Sequence, residues 1–320
     1  MKSLSNSMEE VENLSKIKIK FVDFWPNFFP EEDWLFQFIN RNFDVVLCEE
    51  EPNFLFFSSF GRKHLEYDCY KVFYCAENVR PNYLECDFSI CFDFNKFTNH
   101  YRLPFYGTLL KWEPELLINR DKVELDEIRD KKFCCFLTSN EDSAERILFF
   151  KKLSEYKHID SGGLVLNNLG FRVEDKMNFI KQYKFIIAFE NSSYPGYVTE
   201  KIWQPFFVDM IPIYWGSSSI NLDFNTNRFI NCHDYSNFDD VISKIIELDQ
   251  DDEKYLAMVN EPVFYQNSIN KFIDRGNILL FLNDLFSSNK TPVSKTWRKS
   301  FSLLKRRYNN LLIKVSKLLN

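Results

Sequence analysis

KFIIAFENSSYPGYVTEKIWQPFFVDMIPIYWGS, residues 184–217, reads as apolar strand, polar loop, helix and second apolar strand without a break. Residues 185–189 form a short apolar run of the kind that a parallel sheet buries on both faces. The next segment, 191–197, collects turn formers: Asn191, two serines, Pro195 and Gly196. Thr199 then reads as an N-cap, which puts Glu200 and Lys201 in the first turn of a helix. Residues 210–215 give a second buried strand, ended by Gly216. The order predicts a βαβ unit whose loop lies at the carboxyl edge of a sheet, the edge at which open α/β folds bind ligands. A helix start offers free N–H groups and a positive dipole end, and Lys201 adds a full charge, so an anion such as phosphate suits it. From spacing alone, the same residues fit a helix terminus carrying an ordinary charged pair equally well.

Working outward, strands are expected at 17–24, 45–48, 53–58, 72–74 and 88–92, with an amphipathic helix at 31–40. This alternation predicts a parallel sheet in a Rossmann-like first domain. Residues 111–132 are charged, show no clear strand and read as a linker. A strand at 132–137 reopens the pattern, followed by a helix capped by Asp142 or Ser143, a strand with a Gly-Gly turn at 158–163 and a helix at 173–182. Beyond the quoted stretch come a short strand at 228–231 and helices at 238–248 and 251–260. The expected class is α/β, divided into 1–125, 126–289 and a tail, 290–320. From Lys290 onward no acidic residue occurs, while Trp297, Phe301, Leu304, Tyr308, Leu311, Val315 and Leu318 recur at helical spacing. Such a basic amphipathic helix suits an anionic membrane surface, although packing on the body or self-association would use the same pattern.

A chain of 320 residues that is 45% hydrophobic can fill two cores, and its 35 phenylalanines read as core filler. A net charge of −6 argues against nucleic acid as a partner of the body. The eight cysteines show neither CxxC pairing nor histidine companions, so buried reduced thiols are expected. Residues 1–16 lack the apolar core of a signal peptide, and no run reaches the roughly 20 apolar residues of a spanning helix, so a cytoplasmic location is expected. With no GxGxxG and no P-loop, nicotinamide and kinase chemistry lose their main support.

FENSSYPGYVTEK at 189–201 followed by IPIYWGS at 211–217 resembles the signature of the α-1,3-fucosyltransferases of glycosyltransferase family 10, in their bacterial, Helicobacter-like branch. The resemblance runs from about 73 to 234. Two positions depart from it: Pro205 stands where the family has a small residue such as Ala, and Asp209 where it often has Gly. Pro205 is expected to kink the helix or end it early. The resemblance implies the GT-B architecture, two Rossmann-like domains facing a cleft, and transfer of fucose from GDP-fucose.

A sugar hydroxyl is a weak acid, so a carboxylate must take its proton as attack proceeds. YCAENVRPN at 74–82 resembles the family's strand-end segment in which the Glu is that base, which points to Glu77. SAERILFFKKL at 143–153 resembles the helix whose Arg contacts the diphosphate, which points to Arg146 beside Lys201. By the same match, Glu190, Asn191, Tyr197 and Glu200 line the fucose, ribose or guanine, and Asn140 and the Ser161-Gly162-Gly163 turn approach the donor. The resemblance implies direct inversion: a β-linked donor gives an α-linked product with no covalent intermediate.

Asp249-Gln250-Asp251 is formally a DXD motif, but it reads as solvated surface, so no metal ligand set is expected. No cofactor is required on this reading, and stimulation by Mn or Mg stays open. The expected acceptor is an oligosaccharide or glycolipid of a surface glycan such as lipopolysaccharide O-antigen, giving a Lewis x type linkage on GlcNAc or Glc. An α-1,4 linkage, another nucleotide sugar and a non-catalytic nucleotide-sugar-binding protein are the competing readings. The loops at 25–33 and 59–67, where the resemblance is poorest, are expected to set the acceptor.

Overall fold

The computed structural model describes residues 16–109, 113–140 and 144–319, with the side chains of 310 and 313–319 left aside. Two compact units emerge, Met1–Leu103 with Arg275–Asn320, and Pro104–Asp274.

The first unit holds a six-stranded, wholly parallel sheet in the order β2-β1-β3-β4-β5-β6. Its strands are β1 Ile17–Val22, β2 Val45–Leu47, β3 Phe54–Phe57, β4 Tyr70–Cys75, β5 Phe88–Cys91 and β6 His100–Arg102. β3 and β5 are buried at every residue, as a sheet covered on both faces requires. The helix Trp34–Asn42 starts three residues later than expected, because Pro30–Glu32 forms a 3-10 turn and Asp33 is the cap, accepting from Phe36 N at 3.1 Å.

In the second unit a five-stranded parallel sheet runs β11-β10-β9-β7-β8. These are β7 Lys132–Phe136, β8 Ile159–Ser161, β9 Tyr183–Phe189, β10 Ile211–Trp215 and β11 Ile230–Asn231. The central β9 is buried along all seven residues, so the quoted stretch forms the middle of this sheet. The helix Ala144–Ser154 begins just after 141–143, and its expected caps, Asp142 and Ser143, lie outside the described residues.

The division differs from the one expected. The segment read as a linker packs into the second unit: Val123 and Ile128 join its core, and Asn260 brackets the Val123 backbone with bonds of 2.8 and 3.0 Å. At the other end, the helix Arg275–Phe286 returns to the first unit, where Phe286 meets Phe43 and Phe54 at 4.9 and 5.0 Å between ring centroids. The boundaries therefore fall at 103/104 and 274/275, not at 125/126 and 289/290.

The tail continues as the helix Trp297–Leu319, and it meets the first unit with its polar face. Lys299 pairs with Asp68 at 2.6 Å, while Ser302 and Arg306 both donate to Glu85. Trp297, Phe301, Leu304, Tyr308 and Leu311 stay exposed. Among the described residues no helix is long and apolar enough to cross a membrane. All eight cysteines are unpaired, and seven of them are buried.

Candidate active site

The helix Glu200–Phe206 follows β9 as the spacing predicts, with Thr199 at its cap. Pro205 lies inside it, and the helix ends one residue later. The chain then turns through Asp209 at φ 52°, the left-handed conformation that suits the glycine often found there. Arg120 pairs with the Asp209 carboxylate at 3.0 Å, and Lys131 donates to Val208 O and Asp209 O at 3.1 and 3.0 Å, so cations close the carbonyl end of this short helix.

At the front end the protein supplies its own anion. Glu190, wholly buried, accepts from Thr199 N at 2.8 Å and Thr199 Oγ1 at 2.7 Å, and stands 3.3 Å from Lys201 Nζ. Burial holds its carboxyl above the ordinary value, with Lys201 opposing. Glu190, expected against the donor, is 0% exposed and anchors the loop and the lysine from behind. Tyr197, also expected against the donor, is buried at 4% exposure. At the expected helix start, the Thr199 amide is taken by Glu190.

What faces outward is a cavity of about 350 Å³ lined by Thr138, Asn140, Gly162, Asn191, Glu200 and Lys201, joined by Arg172 and Lys176. Burial pulls the Lys201 ammonium down, but Glu190 and Glu200 more than offset it, and it sits raised. Burial pushes Glu200 up, but Lys201 and Lys176 outweigh that and hold it low. Lys176 is lowered by burial, partly countered by Glu200. The cavity therefore carries a protonated Lys201 and an ionised Glu200 at neutral pH, one an anion-holding group and the other an acceptor for two hydroxyl donors.

Arg146 stands behind this wall at 1% exposure. Nη1 donates to Thr138 Oγ1 at 2.7 Å and Asn140 O at 3.2 Å; Nη2 donates to Phe189 O at 2.8 Å and Asn191 Oδ1 at 3.0 Å. One guanidinium thus ties the loop after β7 to the loop after β9. It braces two cavity walls and adds positive potential from the rear.

The glycines have reasons internal to the protein. A Cβ on Gly163 would stand 2.2 Å from Thr138 O, and one on Gly162 would stand 2.4 Å from Val173 Cγ2, so the turn after β8 fits tightly under the loop after β7. Gly216 is equally constrained, since its Cβ would lie 2.5 Å from Glu190 Cγ.

Glu77 belongs to the first unit, in an exposed turn at the carboxyl end of β4. Its carbonyl accepts from Val79 N at 2.7 Å, and the residue is exposed. The DXD carboxylates have structural duties: Asp249 accepts from Tyr156 Oη and Lys157 Nζ, both at 2.9 Å, and Asp251 caps the helix Asp252–Val259. Its side chain being 5% exposed, Asp249 is not the solvated residue expected. Among the described residues no cluster of three or more His, Cys, Asp or Glu is arranged to hold a metal.

Lys176 and Arg172 are the charged cavity residues that sequence reasoning missed. Neither belongs to the motif, and only the fold brings them opposite Glu200.

Known proteins match both units. The α-(1,3)-fucosyltransferase FucT N-terminal domain matches residues 19–109, and the glycosyltransferase family 10 (fucosyltransferase) C-terminal domain matches 127–266. An α-(1,3)-fucosyltransferase FucT from Helicobacter pylori is 32% identical over 308 residues, covering 83% of this chain and 63% of that protein. GDP-fucose protein O-fucosyltransferase 3 from Homo sapiens is 34% identical over 127 residues, 36% of this chain and 26% of its own length. The chain thus spans less than two thirds of either relative. A crystal structure of an α1,3-fucosyltransferase with GDP-fucose superposes with a TM-score of 0.70 at 27% identity, over 86% of this chain and 91% of that one. The two parallel-sheet units are those of the GT-B class. With both of its units matched in order and the 184–217 stretch at the centre of the second sheet, the chain belongs to glycosyltransferase family 10, the fucosyltransferases.

Proposed function

We propose that the protein transfers L-fucose from GDP-β-L-fucose, with inversion, to the 3-hydroxyl of GlcNAc or Glc in a surface glycan such as lipopolysaccharide O-antigen. The observation that carries this reading is the cavity in which Lys201 and Glu200 stand side by side, on the motif shared with the family. Glu77 takes the proton of the acceptor hydroxyl, whose oxygen forms the new bond to the anomeric carbon. The bond from that carbon to the β-phosphate oxygen breaks, and GDP leaves with the electron pair. Lys201, Lys176 and Arg172, with Arg146 behind them, meet the charge on the departing diphosphate. Glu200, Asn191, Asn140 and the backbone at Gly162 receive the sugar and nucleotide hydroxyls. With this many cations at the cavity, turnover needs no divalent metal.

The tail gives the reaction its place. Trp297, Phe301, Leu304, Tyr308 and Leu311 are exposed while Lys299, Ser302 and Arg306 are held by Asp68 and Glu85, which supports contact with an anionic membrane surface at 290–320. On this reading the enzyme is cytoplasmic and peripheral on the inner membrane, where a lipid-linked acceptor would be presented.

The test is incubation with GDP-fucose and a panel of N-acetyllactosamine, lacto-N-biose and lactose, with and without EDTA. An α-1,3-fucosylated product in EDTA is expected. Transfer of another sugar, or GDP-fucose binding without transfer to any acceptor, would overturn the reading. Flotation with anionic vesicles tests the tail: the full chain should float, and the chain ending at 289 should not.

A further inference from the structure

At the carboxyl edge of the first sheet, two exposed aromatic rings stand together next to the turn that carries Glu77. Trp25 is 41% exposed and Phe60 50% exposed, and their rings meet edge to face at 6.2 Å. Trp25 follows β1 and Phe60 follows β3, neighbouring strands in this sheet. β4 lies next to β3, and at its end Cys75 Sγ sits 3.6 Å from Ser59 Oγ and 3.8 Å from Glu77 O. One run of close contacts thus joins the aromatic pair's loop to the Glu77 turn.

The pair is held rigid. Asp23, in the left-handed region at φ 62°, turns the chain at the end of β1. Its carboxylate accepts from Lys63 N at 2.8 Å and His64 N at 3.0 Å, and lies 2.6 Å from His64 Nδ1. That ties the loop after β1 to the loop after β3. Gly61 allows the approach, since a Cβ there would stand 2.3 Å from Asp23 Oδ1. Beneath the indole, Phe28 meets Trp25 at 4.9 Å and stacks on Phe24 at 4.0 Å. Two adjoining aromatic rings, open to solvent and buttressed from below, form a surface suited to binding.

We propose that Trp25, backed by Phe60, is the platform on which a pyranose ring of the acceptor glycan lies. A pyranose has a face of C–H groups that suits an aromatic surface, while its hydroxyls project at the rim. Stacking on a fixed ring therefore fixes which hydroxyl is turned toward Glu77. Trp25 is then an acceptor-positioning and specificity residue. This inference rests on the glycosyl-transfer reading above.

The experiment compares Trp25→Ala, Trp25→Phe and Phe60→Ala with the unchanged protein, measuring acceptor KM at saturating GDP-fucose and, separately, GDP affinity by calorimetry. Trp25→Ala should raise acceptor KM roughly tenfold, the size of one lost aromatic contact, and Trp25→Phe should recover most of it. GDP affinity should stay unchanged in all three, which shows that the donor unit is folded. An acceptor KM that Trp25→Ala leaves unchanged would overturn the platform. If the unchanged protein shows no turnover, the transfer reading falls on its own, and saturation-transfer NMR with lactosamine tests the platform directly. Contact with the sugar that is lost in Trp25→Ala supports it, and contact that survives, or no contact at all, overturns it.

Discussion

Glu190 Oε2 and Lys201 Nζ lie 3.3 Å apart with the carboxylate side chain wholly buried and the lysine side chain 21% exposed, so the pair is anchored at one end and open at the other. Removing either partner alone leaves the other unbalanced. A fully buried pair broken this way costs about 3–5 kcal/mol. The open side of Lys201 reduces that, and we expect Lys201→Ala to lose about 2 kcal/mol of stability. GDP affinity should fall roughly tenfold or more, as one charge-assisted contact is lost. Combining Glu190→Gln with Lys201→Met should restore much of the melting temperature but none of the affinity. If affinity returned along with stability, Lys201 would be a structural counter-ion only.

Gly216 is where strand β10 touches this pair. A Cβ would meet Glu190 Cγ at 2.5 Å and Tyr214 Oη at 2.7 Å, both buried groups with no room to retreat. Gly216→Ala should cost about 1–3 kcal/mol, typical of an overpacked core, and weaken GDP binding by displacing Glu190 and with it Thr199 and Lys201. Gly170→Ala is the comparison: φ is +77° there, but nothing lies within 4 Å, so it should lower the melting temperature without touching GDP affinity. Equal GDP affinity in Gly216→Ala and the unchanged protein would break the link from Gly216 to Lys201.

How far the sequence carries depends on whether a signal is local. The runs at 185–189 and 211–215 are apolar enough to name β9 and β10, and the Thr199 cap is correct to the residue. β6 escapes because it is three residues, His-Tyr-Arg, of which only Arg102 is buried. The helix Arg275–Phe286 escapes because its apolar residues run together from Ile278 to Leu282 and mark no single face. Within the site, the motif names Glu200 and Lys201, which do line the cavity. It does not reveal that Glu190 and Arg146 are sealed inside, since their burial is made by strands distant in sequence. Lys176 gives no signal at all until the fold sets it opposite Glu200.

Asp209 can be tested by replacing it with glycine and with alanine. A left-handed φ costs an ordinary L-residue roughly 1–2 kcal/mol, and Asp209 sits at 52°. Its pair with Arg120, about 30% exposed on each side chain, returns only about 0–1 kcal/mol. Asp209→Gly loses the pair and the strain together, so its stability should stay close to that of the unchanged protein. Asp209→Ala loses the pair and keeps the strain, and should unfold about 1 kcal/mol more easily than the glycine variant. Chemical denaturation of the two proteins decides it, and equal midpoints would mean that the turn stores no strain.

Glu85 fixes the tail to the first unit and makes that attachment sensitive to acid. Burial raises its pKa, but the bonds from Arg306 and Ser302, with the His64 ring close by, outweigh burial and bring it to about 2 from an ordinary 4.5. Because the folded value is the lower one, the stabilisation is complete above pH 4.5 and is lost as pH falls toward 2. Its full size is on the order of 3 kcal/mol. The groups facing the carboxylate are Arg306 and Ser302 from the tail helix and His64 Nε2 at 3.7 Å, itself bonded through Nδ1 to Asp23. Glu85→Gln should therefore be less stable at neutral pH and show a flatter fall in melting temperature between pH 5 and 3 than the unchanged protein, since the group that titrates is gone. Hydrogen exchange across 297–309 should rise in the variant at neutral pH, as the Arg306 contact is weakened. Parallel pH profiles for the two proteins would show that the tail is held by something other than Glu85.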